Sequence, residues 1–242
     1  MTFSPTRHVN ELQVRRIMNS SWACRSAFVA ITILLAGSTP LPAQQGVSDG
    51  QWPYYGGDAG STKYSALDQI TVENVSTLKT QWFWGSPETA RIKENRRLGT
   101  FAYESTPLLI DGVLYVSSSH SDVIAVDPVT GKQIWAHDTR SWKAGRPTNL
   151  GFVHRGVAYW ADGDDKRIYI ATGDAHLVAL AADSGDPILE FGEKGRIDLT
   201  KGLRRPVSRR LYAVTSPPIV CRDTVVVGSS ISDAPTHKEM PP

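Results

Sequence analysis

Cysteine is scarce in this chain: 242 residues hold two, Cys24 and Cys221. Neither can serve a disulfide framework, because Cys24 falls in a segment read below as a leader and one remaining thiol has no intrachain partner. Stability must therefore come from packing. Cys221 lies among apolar residues in Pro218-Ile-Val-Cys-Arg222 and is expected to be a buried small hydrophobe. An excess of one charge is also missing. The 26 basic and 24 acidic residues leave a net charge of +2, which gives a nucleic-acid partner no footing. The basic runs Arg91–Arg97 and Lys201–Arg210 are read as solvated loops. No stretch has the pattern of a long amphipathic helix. What the chain does have is turn punctuation, 20 Gly and 15 Pro spread along its length, and this predicts an all-β protein of short strands.

No apolar run is long enough to span a bilayer as a helix. The longest, Ala27–Ala36, is about half of the roughly 20 residues required. It follows Arg15, Arg16 and Arg25 and precedes Leu41-Pro-Ala-Gln44, the order of a secretory signal with a small-residue exit at Ala43. Residues 1–43 are accordingly read as a signal peptide. Met18 is the more usual start for such a segment, which makes residues 1–17 an extension. Residues 44–242 form the mature domain.

That domain repeats. Asp111–Ser117 enters a strand, Val123–Val126 is a second, Asp127-Pro-Val-Thr-Gly131 a turn and Lys132–Trp135 a third strand. The parts return 54 residues later, Tyr115 to Tyr169: Arg167–Ala171, Leu177–Leu180 and the turn Asp183-Ser-Gly185, with Leu189 in the place of Trp135. A third copy starts at Thr215, where Ser216–Val220 and Thr224–Val227 parallel Ser105–Leu109 and Val113–Val116 at a spacing of 111. Short antiparallel sheets repeated at this length indicate blades of a β-propeller. The period exceeds a minimal blade, so insertions are expected, chiefly at Ala136–Asp164 and Phe191–Arg210. In the turn motif Asp and Gly build the bend, and Trp135 is large enough to wedge between neighbouring sheets.

Glu104 and Thr215 occupy the same position in two blades, since each precedes a Ser-x-Pro segment and they are 111 residues apart. Equivalent starts of inner strands converge on a propeller axis, where ligands are commonly held. A carboxylate and a hydroxyl aimed at one axial cavity make a candidate binding site.

Several ordered motifs then agree with one family. Trp52-Pro-Tyr-Tyr-Gly-Gly-Asp58, Phe101-Ala-Tyr-Glu-Ser-Thr-Pro107, Arg155-Gly-Val-Ala-Tyr-Trp160, Phe191–Leu199 and Thr215-Ser-Pro-Pro218 resemble the quinoprotein dehydrogenases that use pyrroloquinoline quinone (PQQ), and within them the glucose dehydrogenase branch. The resemblance covers Gln51 to Asp233 and implies a partial β-propeller of about three of eight four-stranded blades. It implies that Glu104, Arg155 and Thr215 bind the cofactor's carboxylates, for which an arginine fork is well shaped. A glutamate facing a carboxylate works only if the pair shares a proton. His154 stands where some members carry a cysteine against the quinone plane, and is a candidate cofactor neighbour. Asp233, in Gly228-Ser-Ser-Ile-Ser-Asp233, falls on the acidic ligand of the family's divalent ion, Ca²⁺ or Mg²⁺. Ala234 follows it where an Asn is common, and a plain Ser-Asp turn is the other reading.

The family's catalytic Asp belongs to a later blade, so no catalytic residue is assigned here. The resemblance implies a periplasmic dehydrogenase acting on a sugar or alcohol, with a quinone or cytochrome as electron acceptor and membrane association through that acceptor. The chain is expected to be its N-terminal portion and inactive alone. The alternative is a non-catalytic periplasmic propeller scaffold of the outer-membrane assembly type, which needs no such set of polar residues.

Overall fold

The computed structural model describes residues 46–47, 49–147 and 150–231. The expected signal peptide and Asp233 lie outside them. The first four strands, β1 (Leu108–Ile110), β2 (Val113–Ser117), β3 (Val123–Val126) and β4 (Gln133–His137), form one antiparallel sheet in sequence order. Four more, β5 (Ala158–Asp162), β6 (Asp165–Ala171), β7 (His176–Ala181) and β8 (Arg196–Asp198), form a second sheet of the same order. A third begins as the hairpin β10 (Ile219–Cys221) and β11 (Thr224–Val226), while β9 (Tyr212–Ala213) pairs with β12 (Ser230–Ile231). The 111-residue repeat holds to the residue, with Ile110 opposite Val113 in the first sheet and Cys221 opposite Thr224 in the third.

Alternation along the strands builds the layers, because successive side chains leave opposite faces. Ile168 and Ile170 face the first sheet, where they join Leu108, Ile110, Tyr115, Val123 and Ala125 in one core cluster. Tyr169 and Ala171, one residue out of step, face the other way and pack with Val220 and Val225 of the third hairpin. The outer face of the first sheet, Val116, Ile124 and Val126, is covered by Trp82 and Trp84. Sheet thus stacks on sheet as propeller blades do.

Tryptophan and glycine lock the stack. Trp135 Nε1 donates to Ala182 O at 3.0 Å, and its ring lies so close to Gly185 (φ +76°) that a Cβ there would sit 2.5 Å from the indole. Trp82 repeats the device one blade earlier, donating to Pro128 O at 2.9 Å over Gly131 (φ +71°). The expected wedge at Trp135 is present, and Trp82 is its unforeseen counterpart.

Four expectations require correction. Leu189 does not take the place of Trp135: it is exposed, and the fourth strand of the second sheet is Arg196–Asp198, delayed by an intervening turn. The segments read as insertions contain framework, β5 in the first and β8 in the second. Cys221 is exposed, because Val220 takes the core-facing side of β10 and its neighbour must face away. The basic runs are not merely solvated. Residues Glu88–Glu94 form a short helix α1 whose Arg91 pairs with Asp122 at 2.6 Å and Asp138 at 3.3 Å, and Arg209 pairs with Asp198 at 2.6 Å. Among the described residues, no helix is long and apolar enough to cross a membrane.

Candidate functional site

The first strand of each sheet is preceded by a segment carrying a polar candidate residue. Glu104 lies four residues before β1, Arg155 three before β5 and Thr215 four before β10. Lateral backbone bonds stitch the three approaches together: Thr106 N–H donates to Arg155 O and Arg155 N–H to Thr215 O, both at 2.9 Å. The stitching needs Gly156. It has φ +144°, and a Cβ there would stand 3.0 Å from Thr106 O.

The side chains converge as the backbones do. Arg155 Nη2 meets Glu104 Oε2 at 3.0 Å, and Arg155 Nη1 donates to Thr215 Oγ1 at 2.9 Å. Three of the residues picked from the sequence therefore form one cluster contributed by three successive blades. Arg155 and Glu104 keep side-chain exposures of 28% and 37%, so their polar ends are reachable from solvent. These two contacts use two of the five guanidinium N–H groups.

His154 is brought to the same place but faces inward. It is buried, with Nε2 2.8 Å from Ala171 O and Nδ1 3.1 Å from Ser117 Oγ. Gly156 N–H also donates to Nδ1, at 3.2 Å. Both ring nitrogens are thus spent on protein partners, leaving neither for a ligand. Burial, with Arg155 nearby, pushes the imidazole down to about 4, so it is neutral at ordinary pH. Asp233, the candidate metal ligand, lies outside the described residues, and among those described no group of three or more His, Cys, Asp or Glu side chains could hold a metal ion.

Sequence reasoning missed the polar support behind this cluster. Ser105 Oγ accepts from Ser117 N–H and lies 3.1 Å from Ser117 Oγ. Ser117 and Ala171, which bond the two ring nitrogens of His154 from neighbouring blades, stand 54 residues apart and are the same position in consecutive blades. The repeat spacing held that signal, but nothing marked His154 as the residue between them. It also missed a charged corner. Asp122 is buried, accepts from Arg91 and from Ser118 Oγ, and burial pushes its carboxyl up to about 6 against the pull of both.

Known proteins are similar to this chain in sequence and fold. The family described as "PQQ: Glucose/ethanol/alcohol dehydrogenase, beta-propeller domain" matches residues 52–242. Quinoprotein glucose dehydrogenase A of Acinetobacter calcoaceticus is 30% identical over 83% of this chain and 27% of its own length. The quinoprotein glucose dehydrogenase of Escherichia coli is also 30% identical, over 83% of this chain and 26% of its own. The crystal structure of the quinohemoprotein alcohol dehydrogenase from Comamonas testosteroni superimposes with a TM-score of 0.58 at 29% identity, over 78% of this chain and 24% of that one. The chain spans about a quarter of the length of the relatives it matches.

Proposed function

From the membership of this chain in the PQQ-dependent glucose/ethanol/alcohol dehydrogenase β-propeller family, we propose that Glu104, Arg155 and Thr215 form one side of a PQQ cradle in a periplasmic enzyme that oxidises a sugar or alcohol. The observation that carries this reading is the convergence of three blades on the Arg155 guanidinium, with Glu104 at 3.0 Å and the Thr215 hydroxyl at 2.9 Å. The donor set suits the cofactor. PQQ carries three carboxylates, and a partly exposed arginine with spare N–H groups beside a hydroxyl offers what a carboxylate accepts. Glu104 sets the condition: an incoming carboxylate must displace it from Arg155 or share a proton with it.

When bound, PQQ supplies the two-electron acceptor for the hydride of the substrate C–H bond. The residues named here bind and orient. Arg155 anchors by charge, Thr215 limits its rotation, and Glu104 competes with the ligand for Arg155. His154, with both ring nitrogens bonded to protein atoms, gives the ligand no hydrogen bond. Asp233 is proposed as a ligand of Ca²⁺ or Mg²⁺. Proton abstraction is assigned to no residue of this chain, and the electron acceptor is proposed to be a quinone or a cytochrome.

The test is a titration of the purified chain with PQQ in the presence of Ca²⁺, followed by quenching of tryptophan fluorescence. We expect weak saturable binding that Arg155→Ala abolishes, and no reduction of a dye acceptor when glucose is added. Equal binding by the wild type and Arg155→Ala would overturn the cradle. Dye reduction by the purified chain would overturn the purely binding role.

A further inference from the structure

Ser105, Ser117 and His154 are buried or half-buried, and the function proposed above uses none of their polar atoms. Their bonds have a direction that one carbonyl decides. Ala171 O can only accept, so the Nε2 facing it at 2.8 Å must carry the proton of the neutral imidazole. Nδ1 is then bare and accepts, from Gly156 N–H at 3.2 Å and from Ser117 Oγ–H at 3.1 Å. With its hydroxyl proton committed to His154, Ser117 Oγ accepts from Ser105 Oγ–H at 3.1 Å, while Ser105 Oγ accepts from Ser117 N–H at the same distance. The chain of donors therefore runs Ser105 to Ser117 to His154 to Ala171 with no free end.

The ends of this chain matter. Ser105 is the neighbour of Glu104, and His154 the neighbour of Arg155. The relay ties the backbones carrying the two halves of the Glu104–Arg155 pair to each other and to the second blade at Ala171. We propose that Ser105, Ser117 and His154 act as positioning residues, holding Glu104 and Arg155 in their paired geometry before an anionic ligand arrives. Site geometry of this kind is set by buried hydrogen-bonded support behind the contacting groups. The inference rests on the cradle reading for the identity of the ligand, but not for the ordering of Arg155.

The experiment uses the full chain and two variants that cut the Ser117–His154 bond from opposite sides, Ser117→Ala and His154→Gln, with the double variant. Gln keeps a donor at the position of Nε2 and loses the acceptor at Nδ1. Long-range ¹⁵N spectra of the wild type should show His154 as a single Nε2–H tautomer. The Arg155 side-chain resonance should be that of a fixed guanidinium, and each single variant should shift it toward the averaged position of mobile arginines. PQQ affinity should fall about tenfold in each. Because both cut the Ser117–His154 bond, the losses of affinity in the double variant should be clearly less than additive. An unshifted Arg155 resonance in both single variants, or additive losses in the double, would overturn the relay. A shifted Arg155 resonance in variants of a chain that never binds PQQ would sink the cradle and leave the relay standing. If one variant fails to fold, the other and Ser105→Ala report on the same chain of bonds.

Discussion

Arg155 and Thr215 hold each other twice, backbone to backbone and side chain to side chain, both at 2.9 Å. The first bond fixes how far the second and third blades stand apart at this end of the stack. The second fixes which way the guanidinium points. A residue placed by two bonds to one partner loses little conformational freedom on meeting a ligand, and the remaining donors of Arg155 are offered in a set direction.

Replacing either partner should separate these roles. Arg155→Lys keeps the charge but cannot reach Glu104 and Thr215 together with a planar fork, so PQQ affinity should fall by about 10–100-fold. Thr215→Val keeps the volume and the backbone bond while removing the hydroxyl, and should cost about tenfold. Isothermal titration with PQQ and Ca²⁺ reads both. A lysine variant binding as tightly as the wild type would mean that charge alone suffices.

The indole–glycine contacts predict a difference between two glycines with the same backbone. A Cβ added at Gly112 (φ +77°) would meet nothing within 4 Å, whereas one at Gly185 (φ +76°) would be driven to 2.5 Å from Trp135. Gly112→Ala should cost about 1 kcal/mol of backbone strain. Gly185→Ala carries the same strain and must also push the indole off the next blade, for a total of about 3 kcal/mol. Urea unfolding measures the gap, and equal losses would show that the wedge yields without cost.

The contrast between those glycines shows what was legible in the sequence. Asp127-Pro-Val-Thr-Gly131 and Asp183-Ser-Gly185 are local turn chemistry, and a 54-residue offset made them visible as a repeat. Glu104 and Thr215 were visible for the same reason, since a position repeated across blades converges in space, whereas Arg155 was marked by the family resemblance and not by the period. What stayed hidden were pairings that obey no period. Arg91 reaches Asp122 from a helix outside the repeat, and His154 bridges Ser117 and Ala171 from a connecting segment. The exposure of Cys221 was missed because an apolar neighbourhood in sequence does not say which face of a two-stranded hairpin has a partner.

The Arg91–Asp122 pair predicts a rescue. Arg91→Met leaves Asp122 buried without its cation, beside Ser118 and a second carboxylate, Asp138, and should cost about 3 kcal/mol at pH 7. Adding Asp122→Asn removes the uncompensated charge, and the double variant should recover most of that loss. Chemical denaturation of the four proteins gives the coupling directly. A double variant no more stable than Arg91→Met would place the cost in lost packing of α1 and not in charge.

His154 makes the stability of the fold depend on pH. Its imidazole sits at about 4 in the folded protein because burial disfavours the charged form, while in the unfolded chain it returns to about 6.5. Between those values the unfolded state binds a proton that the folded state refuses, so stability falls as the pH is lowered from about 6.5 to 4 and levels off below. Its full contribution is about 3 kcal/mol. Asp122 works in the opposite sense over much of the same window. Its folded carboxyl, raised to about 6, takes a proton before the unfolded one does, so acidification favours the fold there. The two effects offset each other, and the wild-type profile should be flatter than either group alone would make it. His154→Gln removes one and leaves the other. The stability gap between wild type and His154→Gln should therefore shrink by about 3 kcal/mol on going from pH 7 to pH 4, as the wild type alone loses the histidine contribution. Denaturant unfolding of both proteins across this range measures it. A gap that stays constant with pH would mean that His154 titrates in the fold as it does in water, and that burial does not hold it neutral.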